Sequence, residues 1–248
     1  MKTASVFAAL AATALPVVGL SATPIFDDFG SFPNATFGGS GIPTDSVAAS
    51  KQIIDGDTEI TVALSATQRL TNPPLTNDGA GTYFATPGSN TPPTTSFEGS
   101  RWNFNFYVEV RSISGLNDPS IADYDISLLY DFDAGFDTPL ADLGFIDFDV
   151  VGPTATISTF EDFADGEISQ GSQNLLFSFL TTGSPPFIVP PAGQTFDPNE
   201  LGEYTFAIGV TDGFFPIESV AIDVVIPEPG TLALLGLGSL GLIRRTRR

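Results

Sequence analysis

The stretch "RWNFNFYVEV" alternates with a period of two, placing Trp102, Phe104, Phe106, Val108 and Val110 on one side and Asn103, Asn105, Tyr107, Glu109 and Arg111 on the other. Successive side chains of a strand point to opposite faces, so the pattern predicts a half-buried strand with Asn105 exposed. The same alternation returns at Ile60-Val62-Leu64, Tyr124-Ile126-Leu128-Tyr130-Phe132, Ile146-Phe148-Val150, Leu175-Phe177-Phe179, Tyr204-Phe206-Ile208-Val210 and Val220-Ile222-Val224-Ile226. Between its two ends the chain has no long segment with apolar residues at helical spacing, and no repeat at a fixed period. The reading is all-β: an antiparallel β-sandwich or jelly roll of about seven or more strands. Its expected core is Trp102, Phe104, Phe106, Tyr124, Ile126, Leu128, Phe177, Tyr204, Phe206, Ile208 and Ile222. Clusters of Pro and Gly punctuate the strands, most densely at residues 71–95 and again at 181–200, and both read as loops. The first is long enough to be either a linker or a binding loop. Thr23 to Gly41 reads as a strandless arm.

The two ends follow a different pattern. After Lys2 the chain carries no charge from Thr3 to Phe26 and is most apolar over Val6 to Leu20. That is the layout of a secretory signal peptide, with cleavage expected between Ser21 and Ala22 or, as the alternative, directly after Ala22. The other end reads "IPEPGTLALLGLGSLGLIRRTRR". Gly230 to Ile243 is uncharged; as a helix it would be roughly 21 Å long, short of a hydrocarbon core about 30 Å thick. Arg244, Arg245, Arg247 and Arg248 follow directly, and a basic cluster holds its end on the cytoplasmic side. Pro227 and Pro229 resist helix and sheet, so an accessible extended stretch precedes the apolar run. A signal helix and a short C-terminal transmembrane helix are therefore expected. The domain plan is 1–21 signal peptide, 22–41 arm, 42–226 β-domain and 227–248 tail.

Pro227-Glu228-Pro229, a Gly/Leu/Ala-rich run and terminal arginines, in that order and paired with a signal peptide, resemble the PEP-CTERM sorting signal of Gram-negative bacteria. The resemblance covers only the tail. It implies export by the general secretory machinery, processing by an integral-membrane exosortase after transient membrane insertion, and delivery to the cell envelope or the extracellular polysaccharide matrix. It implies nothing about the domain in front. Two other motif matches carry no function. Gly236-Leu-Gly238-Ser-Leu-Gly241 fits a dinucleotide fingerprint but lacks a strand before it and a βαβ unit around it. Asn34-Ala35-Thr36 fits a glycosylation sequon that has little force in a bacterium.

Composition narrows the chemistry. The 248 residues carry a net charge of −20, with no His and no Cys. Soft metal ligands, thiolate nucleophiles and Ser-His machinery are thereby excluded. Between Ser112 and Ile243 there are twenty Asp or Glu and no Lys or Arg. Such a surface repels nucleic acid, whose phosphates need cationic partners. Polysaccharide and divalent cations remain as partners, and the acids also serve plain solubility.

Three functions fit. The leading one is a non-catalytic envelope or matrix protein that associates with polysaccharide or with its own kind. A calcium-dependent carbohydrate-binding module is the second: Asp131-x-Asp133-x-Gly135-x-Asp137 spaces carboxylates as an EF-hand loop does, within a run that also holds Asp142, Asp147 and Asp149. The simpler account makes Asp131, Asp133, Asp147 and Asp149 outward residues of two strands whose inward faces carry Phe132 and Phe148. A glycoside hydrolase working with two carboxylates is the third, with Glu98, Glu109, Glu203 and Glu218 as candidates by residue type alone.

Overall fold

The computed structural model describes residues 24–33, 35–37, 47–70, 74–91, 97–136, 138–139, 142–148, 160–161, 168–183, 187–211 and 216–228. The predicted signal peptide with Ser21 and Ala22, the tail from Pro229 through Arg244, Arg245, Arg247 and Arg248, and the positions Asp137, Asp149 and Val150 all lie outside them. Among the described residues no helix is long and apolar enough to cross a membrane.

The described residues are all-β. Their strands are β1 (Asp28–Ser31), β2 (Val47–Asp55), β3 (Thr58–Gln68), β4 (Thr76–Asn77), β5 (Thr82–Phe84), β6 (Ser89–Asn90), β7 (Gly99–Ser100), β8 (Trp102–Ser112), β9 (Asp125–Tyr130), β10 (Gly144–Asp147), β11 (Phe160–Glu161), β12 (Ile168–Gln173), β13 (Ile188–Val189), β14 (Gly202–Thr211) and β15 (Pro216–Ile226). One sheet runs β1-β2-β3-β8-β12-β11, a second runs β13-β10-β9-β14-β15-β5-β4, and β6 and β7 form a small ribbon. Pairing is antiparallel throughout except for β15 with β5, which is parallel. The two large sheets face each other across one apolar core, the layering of a sandwich.

Each inner face is one side of a predicted alternation. Trp102, Phe104, Phe106, Val108 and Val110 of β8 are buried, as are Tyr204, Phe206, Ile208 and Val210 of β14 and Val220, Ile222, Val224 and Ile226 of β15. Phe104 stacks on Phe206 with ring centroids 4.5 Å apart, and Trp102 meets Tyr204 at 5.8 Å and Phe196 edge-on. Of the expected core only Tyr124 and Phe177 stay half-buried, both packed against its rim.

Several expectations are corrected. Leu175-Phe177-Phe179 is no strand: β12 ends at Gln173, a turn follows, and Ser178–Thr182 forms a short helix, α1, closed by Gly183 in the left-handed conformation. Three apolar residues at spacing two do not distinguish a strand from a turn and helix that bury Leu175 and Leu180. Thr23 to Gly41 is not strandless, because Asp28–Ser31 pairs with β2 and Ile25 bridges to Ala221. Residues 71–95 contain β4, β5 and β6; the Tyr83 hydroxyl donates to the Val47 carbonyl, and the buried Arg69 guanidinium donates to the carbonyls of Asn90 and Phe97. This segment is held in the fold by specific bonds.

Asn105 is also not exposed. It is 0% accessible, and its amide donates to the Thr67 hydroxyl. The outer face of the first sheet is covered over much of its area. Phe37, Ala35, Ala48, Ala63 and Tyr107 form a second small apolar cluster there, and the Gln170 side chain accepts the N–H groups of both Thr36 and Phe37. Asn105 and Tyr107, two of the predicted outward residues of β8, therefore lie between a core and a covering layer, while Glu109 is half-buried and Arg111 exposed.

Candidate functional site

Where that covering layer ends, the outer face of the first sheet opens into a groove of about 420 Å³. Its floor follows from the alternation of β3 and β8: with Ile60, Val62, Val108 and Val110 turned inward, Glu59, Thr61, Glu109 and Arg111 must turn outward. Glu59 lies opposite Arg111 and Thr61 opposite Glu109 in the register. Nε and Nη2 of Arg111 both donate to Oε1 of Glu59, at 2.8 and 2.5 Å. The Glu59 carboxylate in turn holds the Arg111 guanidinium above its usual pKa. Strands β1 and β2 add Asp28, Ser50 and Gln52 to the same groove, and Phe32 closes one side, its ring edge-on to Tyr107 at 5.3 Å.

Lys51 stands at the margin. It is paired with Val62 and so belongs to the inner face, yet its ammonium reaches Asp27 at 3.2 Å and Glu218 of β15 at 2.9 Å. The hydrogen bond to Glu218 is the main reason its pKa is raised. Lys51 thus ties the edge of one sheet to the other. Of the four hydrolase candidates, only Glu109 lines the groove. Glu218 is engaged by Lys51, Glu203 sits on β14 opposite Val225, and Glu98 accepts a hydrogen bond from the Ser89 hydroxyl on the β6–β7 ribbon. The structure does not bring these four together. Glu59, Asp27 and Asp28 are the groove carboxylates that the sequence reading missed; Glu59 was legible as the outward neighbour of Ile60, while β1 and β2 gave no clear signal.

The acidic run beyond β9 is arranged otherwise than expected. Asp131 is fully buried and Asp133 is exposed, so they are not equivalent outward residues of one strand. Oδ1 of Asp131 accepts the Asp133 N–H at 2.8 Å, and Oδ1 of Asp133 accepts the Gly135 N–H at 2.9 Å. These are successive Asx turns that spend carboxylate oxygens on local backbone. Among the described residues no three acidic side chains gather as metal ligands. Among the described residues, Oδ2 of Asp131 and the Thr138 hydroxyl are both buried and meet no hydrogen-bond partner.

Burial pushes the Asp131 carboxyl up to about 6. The Asp133 N–H bond works in the opposite direction, as do the nearby Thr138 hydroxyl and Thr205 N–H, though neither of the latter two bonds to Oδ2. Because the folded-state value lies above the ordinary 3.8, folding favours the protonated acid. The resulting stabilisation is complete below pH about 3.8 and is lost as pH rises through about 6. Asp131→Asn keeps the acceptor for Asp133 and removes the buried charge, so at pH 7.5 it should stabilise the fold by about 1–3 kcal/mol, and the gain should vanish near pH 4. Urea titrations of both proteins at the two pH values check this. A calcium ligand would show the reverse, with the variant losing stability in millimolar calcium.

The class these features define is a two-sheet, acidic β-domain whose last strand, β15, runs straight into Pro227 and Glu228 at the surface: a domain carried ahead of a trailing signal. Residues 225–248 match the family model of the PEP-CTERM protein-sorting motif. The tail is an exosortase sorting signal, and it marks the chain for export to the envelope or the extracellular space. No curated protein and no solved structure matches this chain.

Proposed function

We propose that this chain is a non-catalytic surface protein, exported with its tail processed, whose β-domain associates with extracellular polysaccharide through the groove on its first sheet. The sorting tail carries the export half of the reading. The carbohydrate half is supported by the lining of the groove: hydroxyl, amide, carboxylate and guanidinium groups beside the apolar wall of Phe32. Hydrogen-bonding groups of both kinds beside an apolar surface suit a neutral polyol, and the four carboxylates against two cations disfavour a polyanion.

Two measurements test the halves separately. Intact mass of protein recovered from the native host should show a mature chain that begins near Ala22 and lacks the residues beyond the Pro-Glu-Pro; a secreted product that retains Arg245 and Arg248 contradicts processing. Calorimetric titration with neutral exopolysaccharide should detect binding that Gln52→Ala and Arg111→Ala each weaken by about fivefold or more, on the order of 1 kcal/mol per lost contact. Gln52 is exposed, so its replacement should leave the melting temperature unchanged. Release of reducing ends during the titration would instead support the hydrolase.

A further inference from the structure

We infer that, until the tail is processed, the domain rests on the membrane through a second groove at the foot of β15, whose apolar wall sits in the headgroup layer of the bilayer. The inference rests on the reading of the tail as membrane-inserted before processing. This groove, of about 850 Å³, lies between the end of β15, the start of β14 and the segments that follow β5 and β9. Phe84 lies opposite Val225 across the β5–β15 pair, and Leu201 directly precedes β14. The Ala134 carbonyl accepts the Glu203 N–H at 3.2 Å, which brings Phe136 to the same place. Three large apolar side chains stay exposed there, at 38% for Phe84, 75% for Phe136 and 37% for Leu201. Among the described lining residues only Glu228 is charged. Gathered apolar exposure of this kind marks a surface that something covers.

The length of the tether identifies the occupant. Pro227 and Glu228 are themselves part of the wall, and the uncharged run begins at Gly230, two residues further on, a span of at most about 7 Å. The headgroup layer on each side of the hydrocarbon core is itself roughly 5–8 Å thick. Once the run enters the bilayer, its tether is too short to hold the groove in water clear of the headgroups. The run is also short: as a helix it measures roughly 21 Å against a core about 30 Å thick, and a short span draws its flanking residues into the interface. Phe and Leu side chains are stabilised at that depth, where apolar faces of surface-bound proteins are buried. Charge selects the lipid. Asp133, Asp197 and Glu200 are exposed on the segments that meet at the groove, so a zwitterionic surface is accepted while an anionic one, or a second copy of this acidic domain, is repelled. Seating holds Pro227 and Glu228 at the membrane surface, where an integral-membrane enzyme can reach them. Removal of the tail ends the tethering, and with it the high effective concentration that keeps a few weak contacts made, so the domain is released.

The chain has no cysteine, so single fluorescent labels can be placed on the full-length protein reconstituted into phosphatidylcholine vesicles. Thr86→Cys puts a label in the groove without removing an apolar residue from it, and Leu235→Cys puts one in the tail. Leu116→Cys is the control: Leu116 is 88% exposed and follows the far end of β8, whose near end packs on Tyr204. Thr86 is exposed as well, so both replacements keep the fold. Phosphatidylcholine carrying a nitroxide near its headgroup should quench the Thr86 label about fivefold more than the Leu116 label, or more. Adding Phe136→Asp should bring the Thr86 quenching down to the Leu116 level while the Leu235 label stays quenched; Phe136 is mostly exposed, so an unchanged melting temperature is expected. A Thr86 label quenched no more than Leu116, with Leu235 quenched, overturns the proposal and leaves the sorting reading intact. Thr86 labels that transfer energy between chains instead would assign the groove to a second copy and overturn it too. A Leu235 label that lipid does not quench contradicts membrane insertion of the tail, and the proposal falls with that reading.

Discussion

Asn174→Ala should destabilise the domain by about 3–5 kcal/mol, the cost of leaving the buried Ser100 N–H, the half-buried Leu176 N–H and the Ser100 carbonyl unpaired. Asn174 is fully buried at the end of β12. Its Oδ1 accepts the N–H groups of Ser100 at 2.9 Å and Leu176 at 3.2 Å, while Nδ2 donates to the Ser100 and Trp102 carbonyls and to Oδ1 of Asn103. One side chain therefore ties the β7–β8 junction to the turn that leads into α1. Alanine would strand the two N–H groups and the Ser100 carbonyl at once; the Trp102 carbonyl would keep the Ser100 hydroxyl. Asn174→Asp should be no rescue, because it keeps the acceptors but loses both donors and buries a charge. Equilibrium denaturation of the two variants checks both statements. An Asn174→Ala protein within 1 kcal/mol of the parent would show that the network is not needed, well below the range expected for buried donors left unpaired.

Phe104→Ala should cost about 3–5 kcal/mol, since it removes a fully buried ring at the contact between the sheets. Phe104 stacks on Phe206 from the opposite sheet, so the cavity would open on both sides of the core. The melting temperature should fall by about 2–4 °C for each kcal/mol, as expected for a domain of this size. Its neighbour gives the contrast. Read from the sequence, Asn105 is an exposed residue whose loss is nearly silent; buried against Thr67, its replacement by alanine should cost about 1–2 kcal/mol. The pair of measurements separates a half-exposed sheet from one covered on both faces.

That contrast locates the limit of the sequence. Strand β8 was legible because five inward residues are large and apolar, and β3, β9, β14 and β15 were legible for the same reason. Strand β12, "ISQGSQ", was not. Its inward positions are Ser169, Gly171 and Gln173, set opposite Val108, Phe106 and Phe104. A side chain on Gly171 would stand 2.8 Å from the Phe106 ring, so the core there is filled from the neighbouring strand. A strand that makes room carries no hydrophobic alternation. Strand β2 was hidden by Lys51, an inward position occupied by a cation because Asp27 and Glu218 meet it across the edge of the sandwich.

The tail is the opposite case. Its order of prolines, apolar run and arginines is a local pattern read by other molecules, so it needs no tertiary neighbours to be recognised, and residues 225–248 were identifiable from the chain alone. All-β character was likewise determined locally, by a period of two repeated along the chain. What only the tertiary structure decided is which polar residues face water. Asp131 and Asp133 have the same side chain two positions apart, yet one is buried and the other exposed, because β9 ends at Tyr130 and the chain then turns, with Asp131 on the inside of the turn and Ala134 bonded to the start of β14. The groove on the first sheet arose in the same way, from strands distant in sequence whose outward residues become neighbours only when the sheet is paired. Burial and proximity belong to the assembled sheets, and no spacing along the chain encodes them.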